Sequence, residues 1–167
     1  MLIILSGLPG TGKSAIAREL ARQIGAVYLR IDSIEQAIRD STAFTEPLNE
    51  AGYCVAYALA EDNLRLDRTV IADSVNPLEV TRNAWRAVGN KAGVRVVEVE
   101  LVCSDAGEHR RRVEQRVSDI PGLRLPTWAD VEAREYHAWD REHLTIDTAV
   151  DSVEQGVRSI RELLEER

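Results

Sequence analysis

Apolar positions along the chain follow two alternating rhythms. Short unbroken runs, beginning with Leu2-Ile3-Ile4-Leu5 and continuing with Val27-Tyr28-Leu29-Arg30-Ile31, Thr69-Val70-Ile71-Ala72, residues 94–103 and Leu144-Thr145-Ile146-Asp147, read as strands. The first is apolar at every position, as expected of a strand covered on both faces. Between these runs, apolar residues recur at helical spacing. Ile16, Ala17, Leu20 and Ile24 mark a helix over 13–24 that Gly25 stops, and Ile34, Ala37 and Ile38 mark one opened by Asp32. A longer helix is expected over about 48–66, with Val55, Leu59, Asp62 and Leu66 on one face and Ala51, Gly52 and Ala56 allowing close packing. Asn76, Pro77 and Glu79 read as the capped start of a helix that runs to about Lys91 and is broken by Gly93. Residues 104–117 are charged and helical in pattern, 130–141 read as a short helix, and 153–164 as a closing one. The breaker-rich stretches 41–49 and 118–127, the latter with Pro121, Gly122 and Pro126, read as loops. Strands alternating with helices predict an α/β fold with a parallel sheet and helices on both faces.

Composition adds bounds. A chain of 167 residues, 44% hydrophobic and 29% charged, fits one globular domain over 1–167. The two cysteines, Cys54 and Cys103, lack metal-ligand spacing and read as small buried hydrophobes, which points to a reducing cytoplasm. Met1 to Leu5 is too short for a targeting segment, and no apolar run approaches a membrane span. The net charge of −7 weighs against a long nucleic acid as partner.

The chemistry concentrates after the first strand, where Gly7-Leu8-Pro9-Gly10-Thr11-Gly12-Lys13-Ser14 has the G-x-x-x-x-G-K-S spacing of a phosphate loop, with Ala15 completing the nucleotide-contacting stretch. Glycines let the backbone curl so that successive N–H groups and the helix N-terminus face anionic oxygens. Lys13 would reach the β- and γ-phosphates, and the Ser14 hydroxyl would ligate Mg²⁺. Asp32, at the carboxyl end of the second strand, sits on the rim where open α/β sheets bind ligands and is a candidate base. Asp32-Ser33-Ile34-Glu35 is equally a capping box, and the two roles are compatible. Asp73 ends the third strand and is a candidate for the magnesium shell, with Asn76 following as a substrate contact or a cap. Arg112 and Arg116 are i,i+4 neighbours that can face one partner, while Arg111 points elsewhere; with Arg124 beyond them they suit a lid over phosphates. The alternative is a solvated face paired to Glu108 and Glu114. His109, His137 and His143 have no metal or triad spacing; Trp85 reads as core, and Trp128 and Trp139 as possible pocket residues.

These residues resemble the small P-loop kinases of the nucleoside-monophosphate-kinase-like fold, most nearly the bacterial AAA-family ATPases or predicted kinases related to gluconate kinase, polynucleotide 5′-kinase, chloramphenicol phosphotransferase and zeta-type toxins. The likeness rests on the phosphate loop, Ile31-Asp32-Ser33, Val70-Ile71-Ala72-Asp73-Ser74-Val75-Asn76-Pro77 and Arg112-Val113-Glu114-Gln115-Arg116. It implies a three-layer P-loop NTPase fold with a five-stranded parallel sheet of order 2-3-1-4-5, Mg²⁺·ATP as donor, and a small helical lid over about 110–128. It also implies Asp32 as base and Arg112 and Arg116 on adenine or phosphate. The acceptor motifs of adenylate, shikimate and gluconate kinases are not evident, so the acceptor does not carry over. The expected activity is transfer of the γ-phosphate to a hydroxyl or phosphate group of a small molecule. The rivals are an ATPase or sensor module without an acceptor, and a kinase of nucleic-acid 5′ ends.

Overall fold

The computed structural model describes residues 1–41 and 50–166. Its centre is β1 (Leu2–Ser6), whose five residues are all buried. β2 (Val27–Arg30), β3 (Val70–Asp73), β4 (Val96–Val102) and β5 (Leu144–Asp147) complete a five-stranded sheet of order β2-β3-β1-β4-β5. Every pairing is parallel. The order is the one the family resemblance implied. Helices α1 (Lys13–Ile24), α2 (Ile31–Asp40), α3 (Ala51–Arg65), α4 (Glu79–Lys91), α5 (Ala106–Gln115), α6 (Trp128–Glu132) and α7 (Val153–Glu165) make the connections and the flanks.

The two-residue period of β1 divides the core. Ile3 and Leu5 face a cluster with Ile16, Leu20, Val157 and Ile160 of α1 and α7, whereas Leu2 and Ile4 face one with Ala56, Ala60, Leu64 and Trp85 of α3 and α4. The continuous apolar character of β1 thus reflects helices on both sides. Trp85 is wholly buried, as expected, and meets the Tyr57 ring edge-on at 4.7 Å.

Several expectations are corrected. The face of α3 that packs is the small-residue stripe Gly52, Ala56, Ala60 and Leu64. Val55, Leu59 and Leu66 are exposed, whereas Ala56, Ala60 and Leu64 share a cluster with Trp85. The start of that helix at Leu48 and most of the 41–49 loop lie outside the described residues. Asp32 is not a cap: α2 begins at Ile31 with Arg30 in the N-cap position and no side-chain cap bond. Nor does Asn76 cap α4, which starts at Glu79 with Leu78 at its N-cap. The helix expected over 130–141 is the shorter α6, held by a Thr127–Asp130 capping box, and the chain from Ala133 leaves helical geometry. Cys54 is exposed and Cys103 half-buried. No helix among the described residues is long and apolar enough to cross a membrane.

Candidate active site

The carboxyl ends of three adjacent strands meet at one level, with Leu5 of β1 and Arg30 of β2 both paired with Asp73 of β3. The loops beyond them are tied together. The Gly7 N–H donates to the Val75 carbonyl at 3.1 Å, the Ser74 N–H to the Leu5 carbonyl at 3.3 Å, and the Asn76 amide to the Ser6 hydroxyl at 3.1 Å. Asn76 adopts a φ of +46°, a left-handed turn that Asn tolerates better than most residues, and it is fully buried. It braces the phosphate loop from behind and does not line either cavity described below.

The loop from Gly7 to Gly12 wraps the N-terminus of α1. Gly10 and Gly12 hold φ of +87° and +85°, and a Cβ on Gly10 would meet Val113 Cγ2 at 2.5 Å, so neither position accepts an ordinary side chain. Lys13 is only 8% exposed, and its ammonium donates to the Leu8 carbonyl at 2.8 Å. Burial pushes its pKa down to about 8 against the opposing pull of Asp73 and Asp32. A buried cation with a single carbonyl partner, at a helix N-terminus, is poised for an anion.

Two cavities meet at this lysine. One, of about 490 Å³, is bounded by Gly10, Gly12, Ala15 and the arginines Arg18, Arg30, Arg111, Arg112 and Arg116. The other, of about 890 Å³, is bounded by Asp32, Asp73, Ser74, Tyr53, Arg124 and Arg134 among others. Lys13, Ser14 and Arg116 line both. The predicted residues Lys13, Ser14, Asp32, Asp73, Arg112, Arg116 and Arg124 are therefore brought around one centre. Arg111 also faces the smaller cavity, although the helical spacing placed it elsewhere. Neither Trp128 nor Trp139 lines either cavity; Trp128 meets the His109 ring edge-on at 5.2 Å, and Trp139 stacks on His143 at 4.2 Å.

The arginines of α5 are already engaged. Arg110 pairs with Glu114, Arg111 with Glu108, and Arg112 with Glu108 at 2.7 Å. Arg112 additionally donates at 2.9 Å to both the hydroxyl and the carbonyl of Thr148, in the loop after β5. The Thr148 hydroxyl in turn lies 3.1 Å from the Thr11 carbonyl, so Arg112 joins α5 to the phosphate loop through one threonine. Arg116 reaches Asp32 at 3.9 Å.

Sequence reasoning missed six participants. Buried Arg30 donates twice to Asp119, at 2.9 and 3.0 Å, and lies 3.6 Å from Asp32; Arg18 of α1 pairs with the same Asp119. The Arg30 hydrogen bonds, with Arg18, hold the Asp119 carboxyl down at about 2. Tyr28 donates to Asp73 Oδ2 at 2.7 Å, and burial, then the Asp73 charge, pushes its phenol above the ordinary range, so it remains a donor. His109, 7% exposed, places Nε2 2.8 Å from the Pro9 carbonyl and thereby fastens α5 to the phosphate loop. Ser74, 5% exposed on the larger cavity's wall, has an unpartnered hydroxyl. In sequence, Tyr28 and Arg30 are ordinary strand residues, and no local signal distinguishes them.

The donor set fits Mg²⁺. No group of three or more His, Cys, Asp or Glu among the described residues could hold an ion by itself. Magnesium keeps most of its water and leans on substrate phosphates with one or two protein oxygens, and Ser14 and Asp73, with one Asp73 oxygen taken by Tyr28, provide that number.

Solved structures share the arrangement of the chain. The APS kinase of Mycobacterium tuberculosis in complex with AMPPNP and APS superposes with a TM-score of 0.70 at 18% identity, covering 99% of this chain and 97% of that one. Kti12 of Chaetomium thermophilum in complex with ADP-AlF3 gives 0.72 at 20% identity, covering 97% and 98%. A gluconokinase from Sinorhizobium meliloti 1021 gives 0.64 at 13%, covering 97% and 94%. No curated protein matches. The AAA_33 family, described as an AAA domain, matches residues 2–133, most of the chain including the phosphate loop, and the chain belongs to that family, with the fold of the small P-loop kinases.

Proposed function

We propose that the protein is a single-domain Mg²⁺·ATP-dependent phosphotransferase acting on a hydroxyl of a small molecule. The observation that carries this reading is the pair of cavities sharing Lys13, Ser14 and Arg116. A module that only hydrolyses ATP needs room for water beyond the γ-phosphate, whereas a space of about 890 Å³ lined by carboxylates and hydroxyls has the size of a small-molecule site.

In this mechanism the backbone N–H groups of Gly10, Gly12, Lys13 and Ser14 cradle the polyphosphate in the smaller cavity, and Lys13 exchanges the Leu8 carbonyl for phosphate oxygens. Ser14 and Asp73 would hold a magnesium ion, which would supply positive charge to offset that of the phosphates. Arg112 and Arg116, in the lid segment 110–128, hold the donor and shield the developing charge from water. Asp32 orients the acceptor hydroxyl from the larger cavity. It accepts the proton as the hydroxyl oxygen bonds to the γ-phosphorus and the bond from that phosphorus to the β–γ bridging oxygen breaks, releasing ADP. Tyr28 keeps Asp73 aimed at the metal by donating to its second oxygen.

The test is acceptor-dependent ADP release across small alcohols, phosphorylated metabolites, nucleosides and oligonucleotides. Stimulation by a small molecule with stoichiometric phosphorylated product is the expected result. Steady ATP hydrolysis that no acceptor stimulates would replace this reading with the ATPase or sensor one, and preference for 5′-hydroxyl oligonucleotides with the end-kinase one.

A further inference from the structure

Asp32 carries the acceptor side of the chemistry on a side chain that its own helix does not fix. It stands in the first turn of α2 without a capping bond, and its side chain is 43% exposed. A carboxylate in that position samples several rotamers unless a neighbouring charge selects one. Two arginines approach it, both closest at Oδ2: Arg30 at 3.6 Å and Arg116 at 3.9 Å. Lys13, whose basicity the Asp32 charge raises, faces it too.

The two arginines differ in kind. Arg116 follows α5 in extended geometry on the lid segment, and its side chain is 26% exposed. Arg30 closes β2, and its side chain is 5% exposed. Its Nη1 donates to both oxygens of Asp119, at 2.9 and 3.0 Å, which leaves Nη2 as the nitrogen turned toward Asp32. Its Nε is buried without a partner, so the two carboxylates set the orientation of the guanidinium. Asp119 is itself gripped by Arg18 of α1. A guanidinium is planar and rigid, so pinning one nitrogen on a held carboxylate fixes the other nitrogen as well.

We infer that Arg30 is a positioning residue for the transfer: it anchors Asp32 Oδ2 so that Oδ1 is presented to the acceptor hydroxyl in the larger cavity. Arg30 lines the smaller cavity and not the larger one, so toward the acceptor it acts through Asp32. The inference rests on the phosphotransferase reading and divides the labour between the arginines. Arg116 can turn to the donor phosphates when ATP binds, while Arg30, tied to Asp119, stays and keeps the carboxylate aimed.

The simpler role for Arg30 is a staple between β2 and the lid segment through Asp119, and one experiment separates the two. Modification of Asp32 by a water-soluble carbodiimide and glycine ethyl ester is followed by tandem mass spectrometry in nucleotide-free wild type, Arg30→Gln, Arg30→Lys and Asp119→Asn. Arg30→Gln should speed labelling of Asp32 about two- to fivefold, the range that an ion pair of a half-exposed carboxylate is worth. Arg30→Lys keeps a charge at the strand end and should recover part of the protection. Asp119→Asn breaks the staple but leaves Arg30 with Asp32 as its one carboxylate within 4 Å among the described residues. Asp32 should therefore be labelled no faster in that variant than in wild type, although the lid segment is loosened. Equal labelling in wild type and Arg30→Gln, a Lys variant as reactive as the Gln variant, or faster labelling in Asp119→Asn than in wild type overturns the inference. The last comparison decides by itself if Arg30→Gln does not fold.

A kinetic arm uses an acceptor from the screen at saturating Mg²⁺·ATP. Arg30→Gln should lower kcat about 10- to 100-fold with little change in acceptor KM, the cost of displacing a reacting group by about an ångström, and Asp119→Asn should retain more of kcat. A rise in KM alone would overturn the positioning role while the phosphotransferase reading stands. Arg30-dependent protection of Asp32 in a protein that phosphorylates no acceptor would uphold the contact and count against the phosphotransferase reading.

Discussion

Lys13→Met tests the electrostatics of the phosphate loop most directly, because the nucleotide-free protein should become more stable when its central binding residue is removed. The fall of the Lys13 pKa from 10.5 to about 8, caused first by burial, corresponds to about 3 kcal/mol of penalty on the charged form in the folded state. Methionine keeps the apolar stem and removes the ammonium, giving up one hydrogen bond to the Leu8 carbonyl worth about 1–1.5 kcal/mol. A net gain of about 1–2 kcal/mol remains, or roughly 2–8 °C in Tm for a chain of this size. The pH dependence has a definite sign. With the folded pKa below the unfolded one, the unfolded chain holds more protons between about pH 8 and 10.5, so wild-type stability rises across that interval relative to the variant. Below pH 8 the whole penalty is present; above 10.5 it is gone and the variant loses its advantage.

The assay is urea denaturation of both proteins without nucleotide at pH 7, 8.5 and 10, with the m-value checked for constancy. A variant less stable than wild type at pH 7, or a difference that does not shrink as pH rises, would refute the claim that burial of the charge dominates at Lys13. The same lysine should make polyphosphate binding take up protons above pH 8, since phosphate oxygens restore its ordinary basicity; affinity should fall as pH rises past 8 in wild type and be weak and flat in the variant.

Other substitutions probe the neighbouring groups. Asp32→Asn should lower acceptor phosphorylation by about 10²-fold or more while leaving ATP affinity intact; its effect on denaturant stability should stay below about 1 kcal/mol, since Asp32 stands in the first turn of α2 and not at its cap. His109→Leu removes the bond to the Pro9 carbonyl and should cost about 1–3 kcal/mol in urea, together with weaker ATP binding measured by calorimetry. Asp119→Asn should loosen the segment that Arg18 and Arg30 hold, read as faster proteolysis there. Because that carboxyl is held at about 2, its share of stability is complete above its unfolded value and is lost as pH falls toward 2, so variant and wild type should converge at acid pH.

The fold was legible in the sequence where one force dominated. Buried strands with apolar side chains on both faces leave little ambiguity, and β1 and β5 occupy the predicted residues. Helix α1 is as clear, with a glycine in left-handed geometry closing it at Gly25. Helix α3 was misread because hydrophobicity was weighed without volume. The apolar residues weighed there, Val55, Leu59 and Leu66, are exposed, while Ala56, Ala60 and Leu64 pack. The partner of that face includes Trp85, about thirty residues on, which shares the cluster with Ala56, Ala60 and Leu64. No window over 51–65 contains that information.

The site divides along the same line. The phosphate loop is local: its glycines, lysine and serine act through backbone shape, which consecutive residues determine. Asp32 shows how a local motif can misjudge a residue's part in the backbone. Its spacing to Glu35 satisfies a capping box, yet β2 passes into α2 without a break and leaves Asp32 on the helix's first turn, half-exposed toward the acceptor cavity. A capping aspartate would spend its oxygens on the backbone N–H groups of its own helix. This one instead faces Arg30 at 3.6 Å and Arg116 at 3.9 Å. Without a cap to make, the carboxylate's lone pairs are not consumed by the backbone of its own helix. Arg30 completes the argument. Buried at the end of β2, it touches both Asp32 and Asp119, and so links Asp32 to the segment following α5 through contacts that a residue-by-residue reading of either stretch does not contain.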